Sequence, residues 1–388
     1  MKTTTAAGLR FEVEAAQDWT ELLQRWDGWT GSDGIYAVPL SGYEAPGRAG
    51  EGGQILVFGD TFIGQVDAQT RQRRGSTMVY NTLGVLSGGQ PNPERLRFIW
   101  GQGNEGQPAA VFTPTTSQAQ GQGKCWYWLQ DGFVHNGRMY LMPMLVRDDP
   151  AGSEGFKFRD FGVCLIKIPI GPDGLQVEAH EQIDTPFFHV DKRRKLYFGA
   201  AFMPLTERAG APDPDGHIYV YGRYQAVGGD QVELAVARVP QERFEDWDQW
   251  RFWDGERWNE DIGATAPLGR GGPELSVTPV ADGPLKGRYM LVSMHVERHL
   301  YVRLGDSPVG PFGPRIDIWH TREPEAGQGI YTYNAKAHPS LSAPGEWLLS
   351  YNVNTTRWDS HMEDGHIYRP RFLRLRIRAA NRSGGLVS

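Results

Sequence analysis

The chain has 388 residues, 49 of them glycine and 26 proline, with 12% aromatic residues and a formal net charge of −6. Abundant glycine, proline and aromatic residues suit many short strands joined by tight turns, not long helices. Scattered basic residues on an acidic chain argue against nucleic acid or an anionic membrane as partner, and no apolar run is long enough to cross a bilayer.

Length alone would suggest two or three domains, but a β-propeller counts as one domain whatever its size. The first residues, Met1 to Thr5, lack the apolar core of a signal peptide. That leaves two expectations: a cytoplasmic protein, or a secreted or periplasmic one whose signal has been removed. Residues 17–26 are the best short helix candidate, because Trp19, Leu22, Leu23 and Trp26 fall on one helical face. Cys125 and Cys164 give neither a disulfide framework nor a metal spacing and read as small buried side chains.

From residue 28 onward a pattern repeats. Gly28-Trp29-Thr30-Gly31-Ser32-Asp33-Gly34 brings one carboxylate to the start of the apolar strand 35–40. Strands then fall into groups. The first group holds 33–40, 54–60, 81–86 and 95–100. The second holds 131–134, 138–146, 162–170 and 175–183. The third holds 199–205, 217–224, 233–239 and 250–253, and the fourth 274–280, 288–296, 300–304 and 315–319. The fifth has 338–341, 347–352 and 371–377 and lacks a fourth strand. Residues 11–15 can supply it from the other end of the chain, which removes free sheet edges. The expected fold is therefore all-β: a five-bladed β-propeller over residues 1–378, its last blade closed by an N-terminal strand. Residues 379–388 read as a disordered tail or tag remnant. Two insertions, 102–124 and 254–272, read as long loops beside the mouth of the axis.

In a propeller the first strand of each blade lines the central channel, so equivalent strand starts converge. Those starts carry Asp33, Asp131, Gly199, Glu274 and His338. Carboxylates crowded at one mouth cannot all ionise freely, which lets an acid and a base coexist near neutrality. Asp60, in Phe58-Gly59-Asp60-Thr61-Phe62, returns toward the same face on a second strand. Asn81, Arg223, His295 and Asn352 sit at comparable ends and could bind several hydroxyls, as a sugar requires. Trp29, Trp128 and Tyr333 lie on the approaches and could stack on a sugar ring. Each residue also has an ordinary structural reading. Asp-Gly is a common turn dipeptide, Asp60 could bond backbone where its strand ends, and His338 before Pro339 could be a core histidine. The chain has no Gly-x-Ser-x-Gly elbow, no phosphate-cradling loop, no His-Glu-x-x-His pair and no sialidase-type Ser-x-Asp-x-Gly-x-x-Trp turn.

At Gly28–Leu40, Ile55–Phe62, Tyr219-Val220-Tyr221-Gly222, Ser307–Phe312 and Tyr333-Asn334-Ala335-Lys336-Ala337-His338-Pro339 the chain resembles the five-bladed propeller glycoside hydrolases. That superfamily includes arabinanases, β-xylosidases, invertases and levansucrases. More closely it is similar to bacterial uncharacterised-domain families at the superfamily's edge, some linked to endo-D-arabinanase activity. The resemblance implies a glycosidase acting on an oligo- or polysaccharide, with a furanoside or arabinan as substrate. By resemblance Asp33 is the base or nucleophile, Glu274 the acid, and Asp131 the carboxylate that tunes it. The arabinanase pattern places that third carboxylate in the third blade, where this chain has Gly199. The families linked to D-arabinan favour a first-blade pair, here Asp33 and Asp60. No cofactor is implied, but His338 would accompany a metal such as calcium near the axis. Two other functions fit the same residues: a carbohydrate-binding propeller without catalysis, and a glycoside phosphorylase using Arg223 for phosphate.

Overall fold

The computed structural model describes residues 1–152, 157–229 and 231–380. Its described part is built from short antiparallel strands, with helix confined to brief segments such as Gln17–Leu22 and Trp358–Glu363. The chain is an all-β propeller.

Five sheets of four or more strands follow one another along the chain. The first orders Tyr36–Pro39, Gln54–Phe58, Thr82–Leu86 and Leu96–Ile99. The second begins with Gly132–His135 and Arg138–Leu141 and continues through the long strand Phe158–Gly171. The third is built on Arg194–Leu205, His217–Ala226 and Glu233–Pro240. The fourth runs Leu275–Pro279, Tyr289–Ser293, His299–Gly305 and Ile316–His320. The fifth runs inward to outward as Ile330–Ala337, Trp347–Thr355, Pro370–Ala379, Leu9–Ala15 and Lys2–Ala6. Inner strands of successive sheets touch, and the turn Pro339–Leu341 after the fifth touches Tyr36–Pro39 of the first. The ring is thereby closed on itself.

The N-terminal strand closes the last sheet as the sequence suggests, with Leu9↔Ala379 through Ala15↔Leu373 in register. Phe11 and Val13 are fully buried there, in the apolar layer between the fourth and fifth sheets. An outermost strand, Lys2–Ala6, adds a further layer that the sequence reading lacks. The expected tail begins at residue 379, but Ala379 is still paired with Leu9; residues 381–388 lie outside the described residues.

Several boundaries differ from the expected ones. The helix at residue 17 stops at Leu22, and Trp26, expected on its buried face, is 38% exposed. Residues 27–32, read as a flexible approach, form the strand Asp27–Ser32, paired with Thr61–Val66. The expected strand 138–146 divides into Arg138–Leu141 and Met144–Asp148, with Pro143 between them. A proline inside a strand removes a ladder donor, so the break falls there. The fifth inner strand is Ile330–Ala337, not 338–341. His338 follows it and Pro339–Leu341 forms a single 3-10 turn, because Pro339 cannot donate to a ladder. Cys125 and Cys164 are free thiols, the second buried.

Replacing Phe11 with Ala should cost about 3–5 kcal/mol of unfolding free energy, the usual range for a buried Phe. Thr5→Ala, on the exposed outer strand, should stay within about 0.5 kcal/mol. Urea midpoints of the two variants test whether the closing strand holds the ring.

Candidate active site

Asp33 sits between two glycines whose lack of a side chain makes room for it. Gly34 has φ +59°, and a Cβ there would lie 3.5 Å from Glu274 Oε1. A Cβ on Gly59 would stand 2.6 Å from Asp33 Oδ1. The backbone also locks the two ends together: Asp33 N–H donates to Asp60 O at 3.0 Å, and Gly59 N–H donates to Asp33 O at 3.1 Å. The Gly-Asp of the second strand thus lies directly against Asp33, and Glu274 arrives from the fourth sheet.

The polar partners divide sharply. The Tyr333 hydroxyl donates to Asp33 Oδ2 at 2.8 Å. Behind it Asn354 Nδ2 donates to the Tyr333 oxygen at 3.0 Å, and His361 Nε2 bonds Asn354 Oδ1 at 2.9 Å. Glu274 is held differently: Asn334 Nδ2 donates to Oε1 at 2.8 Å, and the Lys336 ammonium pairs with Oε2. Lys336 is 1% exposed, and its ammonium stands 4.2 Å from the centre of the Tyr36 ring. Asp60 accepts a hydrogen bond from Trp128, while its Oδ1 is buried without a partner.

These surroundings set the acidities. Burial, then the facing charge of Glu274, push the Asp33 carboxyl up to about 7, against the opposing pull of Tyr333, Lys336 and Tyr368. Burial and the neighbouring Asp33 hold Asp60 well above the ordinary carboxylate range. Burial also lifts Asp131 to about 7, although Phe202 N–H at 2.7 Å and Gly132 N–H at 2.9 Å both donate to it. Asp131 lines a cavity of about 60 Å³ that it shares with Tyr36, Glu44, Lys336 and His338.

The structure gathers Asp33, Asp60, Glu274, Trp128 and Tyr333 at one mouth, with Asp131 in the field of Glu274. Arg223 lies on the third-sheet side, bonded to Gln225 at 3.2 Å, and the exposed His295 stands in its field. Trp29 and Asn81 lie elsewhere, while Asn352 and His338 stand next to site residues. Trp29 is 1% exposed and stacks on Phe98 at 4.6 Å, so it is core and not a sugar platform. Asn81 is fully buried and its amide bonds only Phe112 and the Tyr127 carbonyl, pinning the 102–124 insertion. Asn352 is fully buried, paired across the ladder with Tyr333, and both its amide atoms lack a hydrogen-bond partner. His338 is 2% exposed and bonds Ser350 Oγ at 2.7 Å. Burial and the Lys336 charge lower its pKa to about 3. A neutral histidine beside a buried ammonium does not fit a calcium ion, and among the described residues no group of three or more His, Cys, Asp or Glu could hold one.

Four site residues escaped the sequence reading: Lys336, Asn334, Tyr36 and Tyr368. A register shift between Tyr333 and Lys336, with Asn334 at φ +58°, breaks strict alternation. It lets Tyr333, Asn334 and Lys336 all serve the same mouth. The only signal was their place in the stretch 333–339.

Residues 16–377 match the profile of a family described as a domain of unknown function, DUF5005. The chain belongs to the DUF5005 family. No curated protein matches it. Among solved structures, the DUF5005 chain is similar to a Bacteroides ovatus protein that carries a provisional hydrolase name. The two share 19% identity over 96% of this chain and 93% of that one, with a TM-score of 0.70. A thermostable family-43 glycoside hydrolase matches at 12% identity, covering 89% of each chain, with a TM-score of 0.43. A GH43_1 enzyme from Xanthomonas citri matches at 12% identity over 92% of each, with a TM-score of 0.40. At such identities the likeness shows the fold alone.

The raised pKa of Asp33 has a consequence for stability. Between the ordinary value of 3.8 and about 7 the folded chain keeps a proton that the unfolded chain has lost. Native stability therefore falls as pH rises through that window. Asp33→Asn removes this contribution. Its melting temperature should exceed that of the wild type at pH 8, with the advantage shrinking toward pH 4; equal pH dependence in both proteins would contradict the assignment.

Proposed function

We propose that this DUF5005 chain is a glycoside hydrolase whose carboxyl pair is Asp33 and Glu274. The observation that carries the reading is their approach from different sheets of one ring, Asp33 with its pKa raised to about 7 by burial and Glu274 paired with an ammonium. Hydrolysis of a glycosidic bond needs a proton for the leaving oxygen and a negative group on the other side of the sugar. Two carboxyls in unlike surroundings supply both at one pH. Tyr333, Trp128, Arg223 and His295 add the aromatic faces and hydrogen-bonding groups that recognise hydroxyls. The hydrolase name of the Bacteroides ovatus neighbour agrees with this reading. The substrate class is a furanoside-containing or related glycan, arabinan first among them, by the resemblance at residues 28–40, 55–62 and 333–339. Residues 1–378 form the single propeller domain, of five blades, that carries it.

The test is a screen of arabinans, fructans, xylans and mycobacterial arabinogalactan by product chromatography. On a cleaved substrate, Asp33→Asn and Glu274→Gln should each lower kcat by about 10²–10⁴-fold and remain folded by circular dichroism. Undiminished turnover in both variants would remove the pair from the chemistry. Binding of a glycan without release of products would instead make the protein a carbohydrate-binding propeller.

A further inference from the structure

The resemblance assigns the proton to Glu274, but the buried charges around it point the other way. Lys336 is a lysine with 1% of its side chain exposed. An ammonium moved out of water costs several kcal/mol unless it is paired. Its ion-pair partner is Glu274, and the face of Tyr36 covers it from another side. Asn334 then fills the other Glu274 oxygen with an N–H donor. The ion pair requires a carboxylate: protonating Glu274 would leave the ammonium without its partner among Tyr36, Asp131 and the neutral His338. Among the described residues Asp33 has no ion-pair partner. Around it stand Glu274, Asp60, Tyr331, Tyr333 and Tyr368, and of the cations only the more distant field of Lys336.

We propose that Lys336 decides which of the two facing carboxyls holds the proton, keeping Glu274 ionised so that Asp33 is the acid. This rests on the glycosidase reading and reverses the roles that the resemblance gives. Asp33 delivers its proton to the glycosidic oxygen as the bond from that oxygen to the anomeric carbon breaks. Glu274 removes a proton from a water whose oxygen bonds to the same carbon. One water is consumed, and return of the proton from Glu274 to Asp33 through solvent restores the starting state. Lys336 touches no reacting atom; it is a positioning residue for charge. Its place is created by the bulge between Tyr333 and Lys336, which turns the lysine toward the axis.

The experiment is carbon-13 NMR of the side-chain carboxyls in the full chain, with Asp33→Asn, Asp60→Asn and Glu274→Gln used to assign the signals. At pH 6 the wild type should show Glu274 ionised and Asp33 protonated. Lys336→Met should move the proton to Glu274 and leave Asp33 ionised, and Lys336→Arg should restore the wild-type distribution. With a cleaved substrate, wild-type kcat/KM should fall tenfold per pH unit above the Asp33 midpoint near 7, and Lys336→Met should displace that limb. A protonated Glu274 in the wild type at pH 6, a proton residing on Asp60 with Asp33 ionised, or an unchanged distribution in a folded Lys336→Met would each overturn the proposal. The wild-type spectrum alone decides if Lys336→Met does not fold. Because the titration needs no substrate, lack of glycosidase activity would sink the functional reading separately.

Discussion

A positive charge buried at the axis organises this site. Lys336 lies at the meeting point of the inner strands, where water cannot satisfy it, and the fold must bring an anion to it. Glu274 is that anion. The same charge draws the pKa of Asp33 and of Asp131 down against the burial that raises both, and together with burial it keeps His338 neutral. Four titratable groups on four different sheets therefore respond to one ammonium. A carboxylate tier without such a cation would have to relieve its repulsion by protonation at arbitrary positions.

Precise placement of Asp33 depends on a second buried device between the first and fifth sheets. Arg73 and Arg369 are 6% and 1% exposed, and among the described residues neither is in a salt bridge. Arg73 bonds the carbonyls of Thr30, His361, Gly365 and Ile367; Arg369 bonds those of Thr30 and Arg25. Burial lowers the pKa of these guanidinia to about 10 and about 9. They tie the strand that leads into Asp33 to the segment that carries Tyr368. Tyr368 itself has φ +70°, a conformation a bulky residue adopts only when its surroundings enforce it. The Arg73 bonds to the carbonyls of Gly365 and Ile367 hold the segment just before Tyr368.

The ring was legible in the sequence because it is written as period-two alternation between glycine- and proline-rich turns, repeated along the chain. Convergence of Asp33, Glu274 and Asp60 followed from that repeat alone. What could not be read is where alternation fails. The bulge at 333–336 has no compositional mark, so Lys336 stood out only as part of the stretch 333–339. Trp29 and Asn81 sit at the right places in sequence, yet strand Asp27–Ser32 pairs with Thr61–Val66 and turns Trp29 inward, and Asn81 is consumed by an insertion. His338 was expected at the start of an inner strand; it follows the end of Ile330–Ala337, and Pro339 begins a turn.

The displaced third carboxylate follows from the same logic of backbone irregularity. Gly199 occupies the position where the arabinanase pattern has its carboxylate. It has φ +118°, and a Cβ there would meet Met142 O at 2.7 Å, so no acidic residue fits. The register shift between Phe198 and Ala201 that Gly199 belongs to breaks the ladder there. Beside it, Phe202 N–H turns to Asp131 Oδ2 at 2.7 Å. The third sheet thus gives up a side-chain carboxylate and supplies a backbone donor to the carboxylate of the second sheet. Asp131 also keeps the electrostatic link to Glu274 and Lys336. A bulge in one sheet and an aspartate in its neighbour thus meet in one hydrogen bond, from Phe202 N–H to Asp131.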